Sequence, residues 1–99
     1  MVTMILHWGT NDKREAAIRI LLDTGSTVPL LSLAWVASTS IQVVQRSTTK
    51  RIENFTGEAV PGAGDYYTFP LLLQHRKHYT RETFEMAPLA GDYDAILPV

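Results

Sequence analysis

Cysteine is absent from the 99-residue sequence, which excludes a disulfide scaffold, a thiol nucleophile and any zinc site built on cysteine sulfur. Long apolar runs are absent too, since nothing approaches the ~18 residues needed to span a bilayer. The opening residues Met1 to Trp8 carry neither a basic stretch nor a small-residue cleavage site, so they do not read as a signal peptide. An excess of one charge is also lacking. Ten acidic and nine basic side chains leave a net charge of −1, which gives no bulk electrostatic reason to expect nucleic acid or a membrane as a partner. These absences lead to the expectation of a cytoplasmic protein whose chemistry rests on oxygen and nitrogen groups.

What is present suits one folded domain over residues 1–99, with 45% hydrophobic and 19% charged residues. A domain this small buries only about two-thirds of its unfolded surface, so association with another chain is favoured. Alternation and β-branching predict strands at Val2–Trp8, Ala16–Asp23, Thr27–Ser32, Ile41–Gln45, Lys50–Phe55, Tyr66–Gln74, Tyr79–Met86 and Tyr93–Leu97. Leu33–Ser38 is predicted as a short helical turn capped by Ser32. Gly57–Gly64 is the most flexible composition, and His75-Arg76-Lys77-His78 suits a polar hairpin turn. Short strands at this spacing, with no long amphipathic helix, predict an all-β barrel or sandwich.

The sharpest chemical feature is Leu21-Leu22-Asp23-Thr24-Gly25-Ser26-Thr27, an acid where an apolar strand enters a glycine turn. Chance places an Asp-Thr-Gly triplet in about 2% of chains of this length, so the triplet alone does not identify a function. Turn chemistry accounts for it as well, with Asp supplying a side-chain hydrogen bond and Gly a compliant backbone. The flanks change the weighting. Ile18, Ile20, Leu21 and Leu22 lead in and Val28-Pro29-Leu30-Leu31 lead out, and a carboxylate so placed must be hydrogen-bonded or share a proton.

With these residues the sequence resembles the retropepsin-like aspartic proteases, most closely those of gypsy-type LTR retrotransposons of fungi. The anchors are Leu21–Ser26 as the active-site loop and Tyr93-Asp94-Ala95-Ile96-Leu97-Pro98 as the hydrophobic segment near the C-terminus. Ile41–Val44, the stretch Ile52–Gly64 and Thr83–Met86 fall between them in the family's order. The resemblance implies a closed retropepsin-like β-barrel and an aspartic endopeptidase that needs no cofactor or metal. Its two carboxylates share one proton. One chain holds a single such loop, so the second Asp23 comes from another copy in a C2 homodimer. The substrate implied is an extended peptide, in particular the element's own polyprotein, processed in the cytoplasm or inside virus-like particles.

Carried over residue by residue, the resemblance makes Asp23 catalytic, with Gly25 allowing close backbone approach and the Thr24 hydroxyl bonding to the partner's loop. Leu22 and Ser26 are supports, and Ser26 is expected to donate to the Asp23 carboxylate, with plain turn chemistry as the equal alternative. Asn54, Phe55, Thr56 and Gly57 are the expected substrate-binding flap, with Phe55, Thr56 and Gly57 at its tip. Ile96-Leu97-Pro98 departs from the usual Ile-Leu-Gly, and Pro98 is expected to be tolerable only at a helix start. Relatives continue there into a tryptophan-containing helix, so the chain reads as a domain truncated at its C-terminus.

Other functions stay open at this stage: a catalytically inactive relic or interaction domain, or a cellular ubiquitin-linked retropepsin-like protease. His7, His75 and His78 lack metal-ligand spacing, and the basic run His75–Arg81 reads as a solvated turn. Asp92 and Asp94 read as turn and edge residues. Asn54-Phe55-Thr56 matches a glycosylation acceptor that a cytoplasmic protein would not use. Trp8 and Trp35 read as core or interface aromatics.

Overall fold

Period-two alternation makes the first hairpin, because Val2, Met4, Leu6 and Trp8 fall on one face and the residues between them on the other. In the computed structural model, which describes residues 1–99, β1 (Val2–Trp8) pairs antiparallel with β2 (Arg14–Asp23), from Val2 opposite Ile20 to Trp8 opposite Arg14. Leu6, Ile18 and Ile20 are fully buried on the shared face. The ladder runs outward to Arg14, two residues beyond the expected start, because each added pair satisfies backbone groups at no cost in register.

After β2 the chain turns and forms β3 (Leu30–Ser32), shorter than the expected Thr27–Ser32. Pro29 lacks an N–H and so cannot extend the ladder as a donor. Its carbonyl still accepts from Glu85 N at 2.9 Å. Ser32 caps α1 (Leu33–Ala37), its side chain accepting from Trp35 N at 3.3 Å. The Trp35 ring meets Trp8 edge-on at 6.2 Å between centroids, and both indoles pack against the main core. Next comes β4 (Val43–Gln45), while Ile41, expected in this strand, is buried in the core instead.

Lys50–Phe55 forms no regular strand; it contributes one bridge, Glu53 opposite Ala59. An isolated two-stranded hairpin of this length has too few pairs to stand alone. The expected strand Tyr66–Gln74 divides at Phe69-Pro70 into β5 (Tyr66–Thr68) and β6 (Leu71–His75). Similarly, Tyr79–Met86 divides at Thr83-Phe84 into β7 (His78–Glu82) and β8 (Glu85–Ala87). At both breaks the chain changes neighbours: β6 pairs with β1 and β7, whereas β5 and β8 pair with each other. Thr68 and Phe84, both 0% exposed, lock the crossing, with Thr68 N donating to Phe84 O at 2.9 Å and Phe84 N to Thr68 Oγ1 at 3.1 Å.

The last strand, β9 (Ala95–Pro98), lies between β2, which it parallels, and β3, which it opposes. Pro98 ends this strand opposite Asp23, so it is accommodated as a strand residue and not only at a helix start. At a strand end the missing N–H costs no ladder bond. The nine strands make one curled sheet, a half-barrel in the order β4-β5-β8-β3-β9-β2-β1-β6-β7. The all-β class is as expected, but within this chain the barrel does not close. Closure needs β4 to pair with β7, and beyond β4 the chain doubles back instead, with Arg46 N bonded to Asp65 O at 2.8 Å and Lys50 N to Gly64 O at 3.0 Å. Gly64 makes that approach possible: its φ is +102°, and a Cβ there would lie 1.9 Å from Lys50 O.

The same doubled-back segment holds the principal ion pair. Arg46 donates to both Glu85 oxygens at 2.6 Å and to Gly64 O at 3.1 Å, and lies 4.5 Å from the centre of the Tyr67 ring. Hydrogen bonding to Glu85 raises the Arg46 pKa further above its ordinary value, outweighing burial, so it stays cationic at any working pH. With both side chains mostly buried, Glu85→Ala strands a buried cation. It should lower the unfolding free energy by about 3 kcal/mol in urea titrations, and the double variant Arg46→Met/Glu85→Met by much less.

Candidate functional site

β2 delivers Asp23 at its last position, where Pro98 is its pair across the sheet. The chain then turns sharply: Ser26 N donates to Asp23 O at 3.2 Å, and Gly25 N donates to the carboxylate Oδ1 at 2.8 Å. One oxygen is therefore held by a main-chain donor two residues on, and the side chain is oriented without help from any other side chain. Asp23 is half-buried while its neighbours Leu22 and Thr24 are exposed, Leu22 by 46%. The Thr24 hydroxyl makes no hydrogen bond within its own chain.

Ser26 behaves differently from the expectation that it donates to Asp23. Its Oγ donates to Val28 O at 2.7 Å, the turn-chemistry alternative. The Asp23 carboxylate is engaged by Gly25 N, and the Val28 carbonyl, two residues beyond Ser26, takes the Ser26 hydroxyl. Gly25 relieves crowding here rather than serving a left-handed backbone. A Cβ there would sit 3.2 Å from Asp23 Oδ1 and 3.3 Å from two carbons of the Phe55 ring.

Phe55 reaches this position on a hairpin built from local hydrogen bonds. Asn54 N donates to Glu58 O at 2.9 Å and Val60 N to Ile52 O at 2.8 Å, closing the arms. Asn54 Oδ1 then accepts from Thr56 N at 3.0 Å, Thr56 Oγ1 at 2.6 Å and Glu58 N at 3.0 Å, which shapes the turn. Gly57, at φ +87°, completes it by donating to Asn54 O at 3.0 Å. Asn54, Phe55, Thr56 and Gly57 thus form one turn, although its arms are 52–54 and 58–60 and the glycine-rich stretch 61–64 lies beyond it.

Two bonds moor the hairpin over the Asp23 turn: Phe55 N to Gly25 O at 3.1 Å and Thr27 Oγ1 to Glu53 O at 2.5 Å. The Phe55 side chain nevertheless stays 72% exposed. A satellite core of Leu30, Ala87 and Ile96, against which Leu21, Val28, Val60 and Ala63 pack, underlies both the turn and the hairpin base. Thr27, Val28 and the residues from Lys50 to Phe55 line a cavity of about 420 Å³ beside this junction. Sequence reasoning passed over Thr27 and Glu53, since a hydroxyl meeting a main-chain carbonyl 26 residues away leaves no pattern in the chain.

Asp94 was also underread. Its Oδ2 accepts from Arg19 N at 3.0 Å, its own N donates to Arg19 O at 2.7 Å, and its carbonyl accepts from Ser32 N at 2.8 Å. It is a clamp that seats the start of β9 between β2 and β3. No second carboxylate hydrogen-bonds to Asp23 or its turn, and Glu53 is paired to Arg51 at 2.7 Å. The larger depression of the molecule, about 1090 Å³, shares no residue with this site.

No family model, curated protein or solved structure matches the chain. Geometry within the molecule therefore carries the functional argument. Thr27→Val deletes one of the two moorings, worth about 1 kcal/mol. Amide exchange at Phe55 should quicken about fivefold while the β1–β2 amides keep their protection. Unchanged exchange at Phe55 would mean that the bond to Gly25 holds the hairpin alone.

Proposed function

We propose that this chain is half of an aspartic endopeptidase of the retropepsin-like kind, acting on extended peptide and, by the resemblance to gypsy-type retrotransposon proteases, on its own polyprotein. The observation that carries the reading is the Asp23 carboxylate, oriented by Gly25 N–H at a strand end, with the Asn54–Gly57 turn moored directly over it.

Peptide hydrolysis by carboxylates needs two of them in different protonation states. The ionised one takes a proton from water as the oxygen attacks the scissile carbonyl, and the protonated one gives its proton to the carbonyl oxygen. The carboxyl that took the water proton then gives it to the amide nitrogen as the C–N bond breaks. A hydroxyl of the diol returns its proton to the other carboxylate, which restores the shared-proton pair. One Asp23 cannot hold both states, so the second is supplied by another copy across a twofold axis. Thr24, exposed and without a partner in its own chain, is placed to bond across that axis, and exposed Leu22 to pack there. The hairpin supplies main-chain groups that an extended substrate needs once Phe55 lifts from Gly25.

The test is cleavage of a peptide library read by mass, with wild type beside Asp23→Asn over a range of concentrations. Wild-type activity should rise with the square of concentration at high dilution, and Asp23→Asn should lower kcat/KM by about 10³-fold while unfolding like wild type. Full-rate cleavage by a demonstrably monomeric sample would overturn the reading. Inactivity at every concentration would leave the relic or interaction domain standing instead.

A further inference from the structure

The cations of this chain are not evenly distributed. Four of the nine are ion-paired: Arg14 with Asp12, Arg19 with Asp94, Arg46 with Glu85 and Arg51 with Glu53. Of the five that have no carboxylate partner, Lys50 stands beside the Asn54–Gly57 hairpin. The other four lie along β7 at its two ends, Arg76 and Lys77 on the β6–β7 turn, and Arg81 at the far end of the strand near Lys13 of the β1–β2 loop. In a chain of net charge −1, the length of β7 is thus flanked by three cations without a carboxylate partner, Arg76, Lys77 and Arg81, against the one carboxylate of Glu82.

That surface borders a free sheet edge. β7 ends the strand order, and its first four residues, His78 to Arg81, are all exposed. Its outer backbone groups have no strand to pair with, which is the template on which an extended chain adds. Tyr79 and Arg81 fall on one face by alternation. Both line the 1090 Å³ depression, together with Lys13, Leu72 and the Asp12–Arg14 pair, in which the carboxylate is already neutralised. Arg76 sits at the hairpin tip with φ +59°, a conformation that glycine or asparagine adopts more cheaply.

We propose that the β7 edge is a docking strand for an extended acidic peptide, which adds antiparallel or parallel to His78–Glu82 and places alternate side chains over the depression. Main-chain bonds give the affinity, and carboxylates meeting Arg81, Lys13, Arg76 and Lys77 give the selectivity. A second copy of this edge is the poorer occupant, because three cations against one carboxylate, Glu82, leave each edge net positive and two such edges repel. The same charges that guard the edge against self-pairing select an acidic partner. This site shares no residue with the Asp23 turn, so it stands apart from the proposed protease activity.

The experiment uses the full 99-residue chain carrying Asp23→Asn, which keeps a peptide intact. The probe is a blocked, fluorescein-labelled octapeptide alternating glutamate with valine. Saturable anisotropy is expected, with amide-exchange protection gained along His78–Glu82. Replacing the glutamates by lysine should weaken binding at least tenfold, as should Arg76→Glu/Arg81→Glu, two exposed changes that leave the fold intact. N-methylation of one alternate set of peptide amides should do the same, and of the other set should not, because only one set faces the edge. The proposal fails if the lysine peptide binds as well, if β7 gains no protection, or if millimolar peptide does not bind. It fails equally if octathymidylate binds as tightly and protects the same residues, which would make the surface a nucleic-acid site.

Discussion

The four residues of β9 hold this molecule together. Without them the sheet falls into two pieces, β7-β6-β1-β2 and β3-β8-β5-β4, because β9 alone joins β2 to β3. Its seating depends on Asp94, which is bonded to Arg19 on one side and Ser32 on the other before the strand begins. The register that follows sets Leu97 opposite Leu22 and Pro98 opposite Asp23. The position of the Asp23 carboxylate is thus a consequence of a strand pairing more than 70 residues away in sequence.

The two cores divide the labour. The larger one, with Leu6, Ile18, Ile20, Leu73, Phe84 and Met86, stabilises the curled sheet. The smaller one, around Leu30, Ala87 and Ile96, lies under the Asp23 turn and the base of the hairpin. Close packing in such interiors transmits displacement, so the turn is rigid where it stands on the satellite core. The hairpin's arms share that backing through buried Ile52 and through Val60, whereas its turn, Asn54–Gly57, does not. Two hydrogen bonds and its own Asn54-centred network hold the turn down, so it is the part of this junction that opens at the least cost.

On the proposed function, the unfinished look of the half-barrel is a requirement of the chemistry. A single hydrogen-bonded carboxylate is stable alone, and only its meeting with a second creates the shared proton that peptide hydrolysis uses. Leaving Leu22 and Thr24 uncovered is the corresponding structural cost. The basic β7 edge answers the opposite need, since it is an open edge that charge keeps from pairing with its own kind.

Periodicity was enough to read the all-β class, the β1–β2 hairpin, the Ser32-capped turn and the hairpin around Arg76-Lys77, because each depends on residues close in sequence. Asp23, Gly25 and the Asn54–Gly57 turn were legible for the same reason: acid, glycine and asparagine in short order dictate local backbone shape. Tertiary structure decided the rest. Ser26 was free to bond with either Asp23 or Val28, and in the folded turn its hydroxyl meets the Val28 carbonyl. Two apparently continuous strands broke at Phe69-Pro70 and Thr83-Phe84 because their halves have different partners, and alternation cannot say which neighbour a strand will meet. Mooring of Phe55 to Gly25, clamping by Asp94 and the nearness of Arg81 to Lys13 all join residues distant in sequence. A linear pattern encodes which face of an element is apolar, whereas only the folded chain determines what that face, or a lone carboxylate at its end, comes to touch.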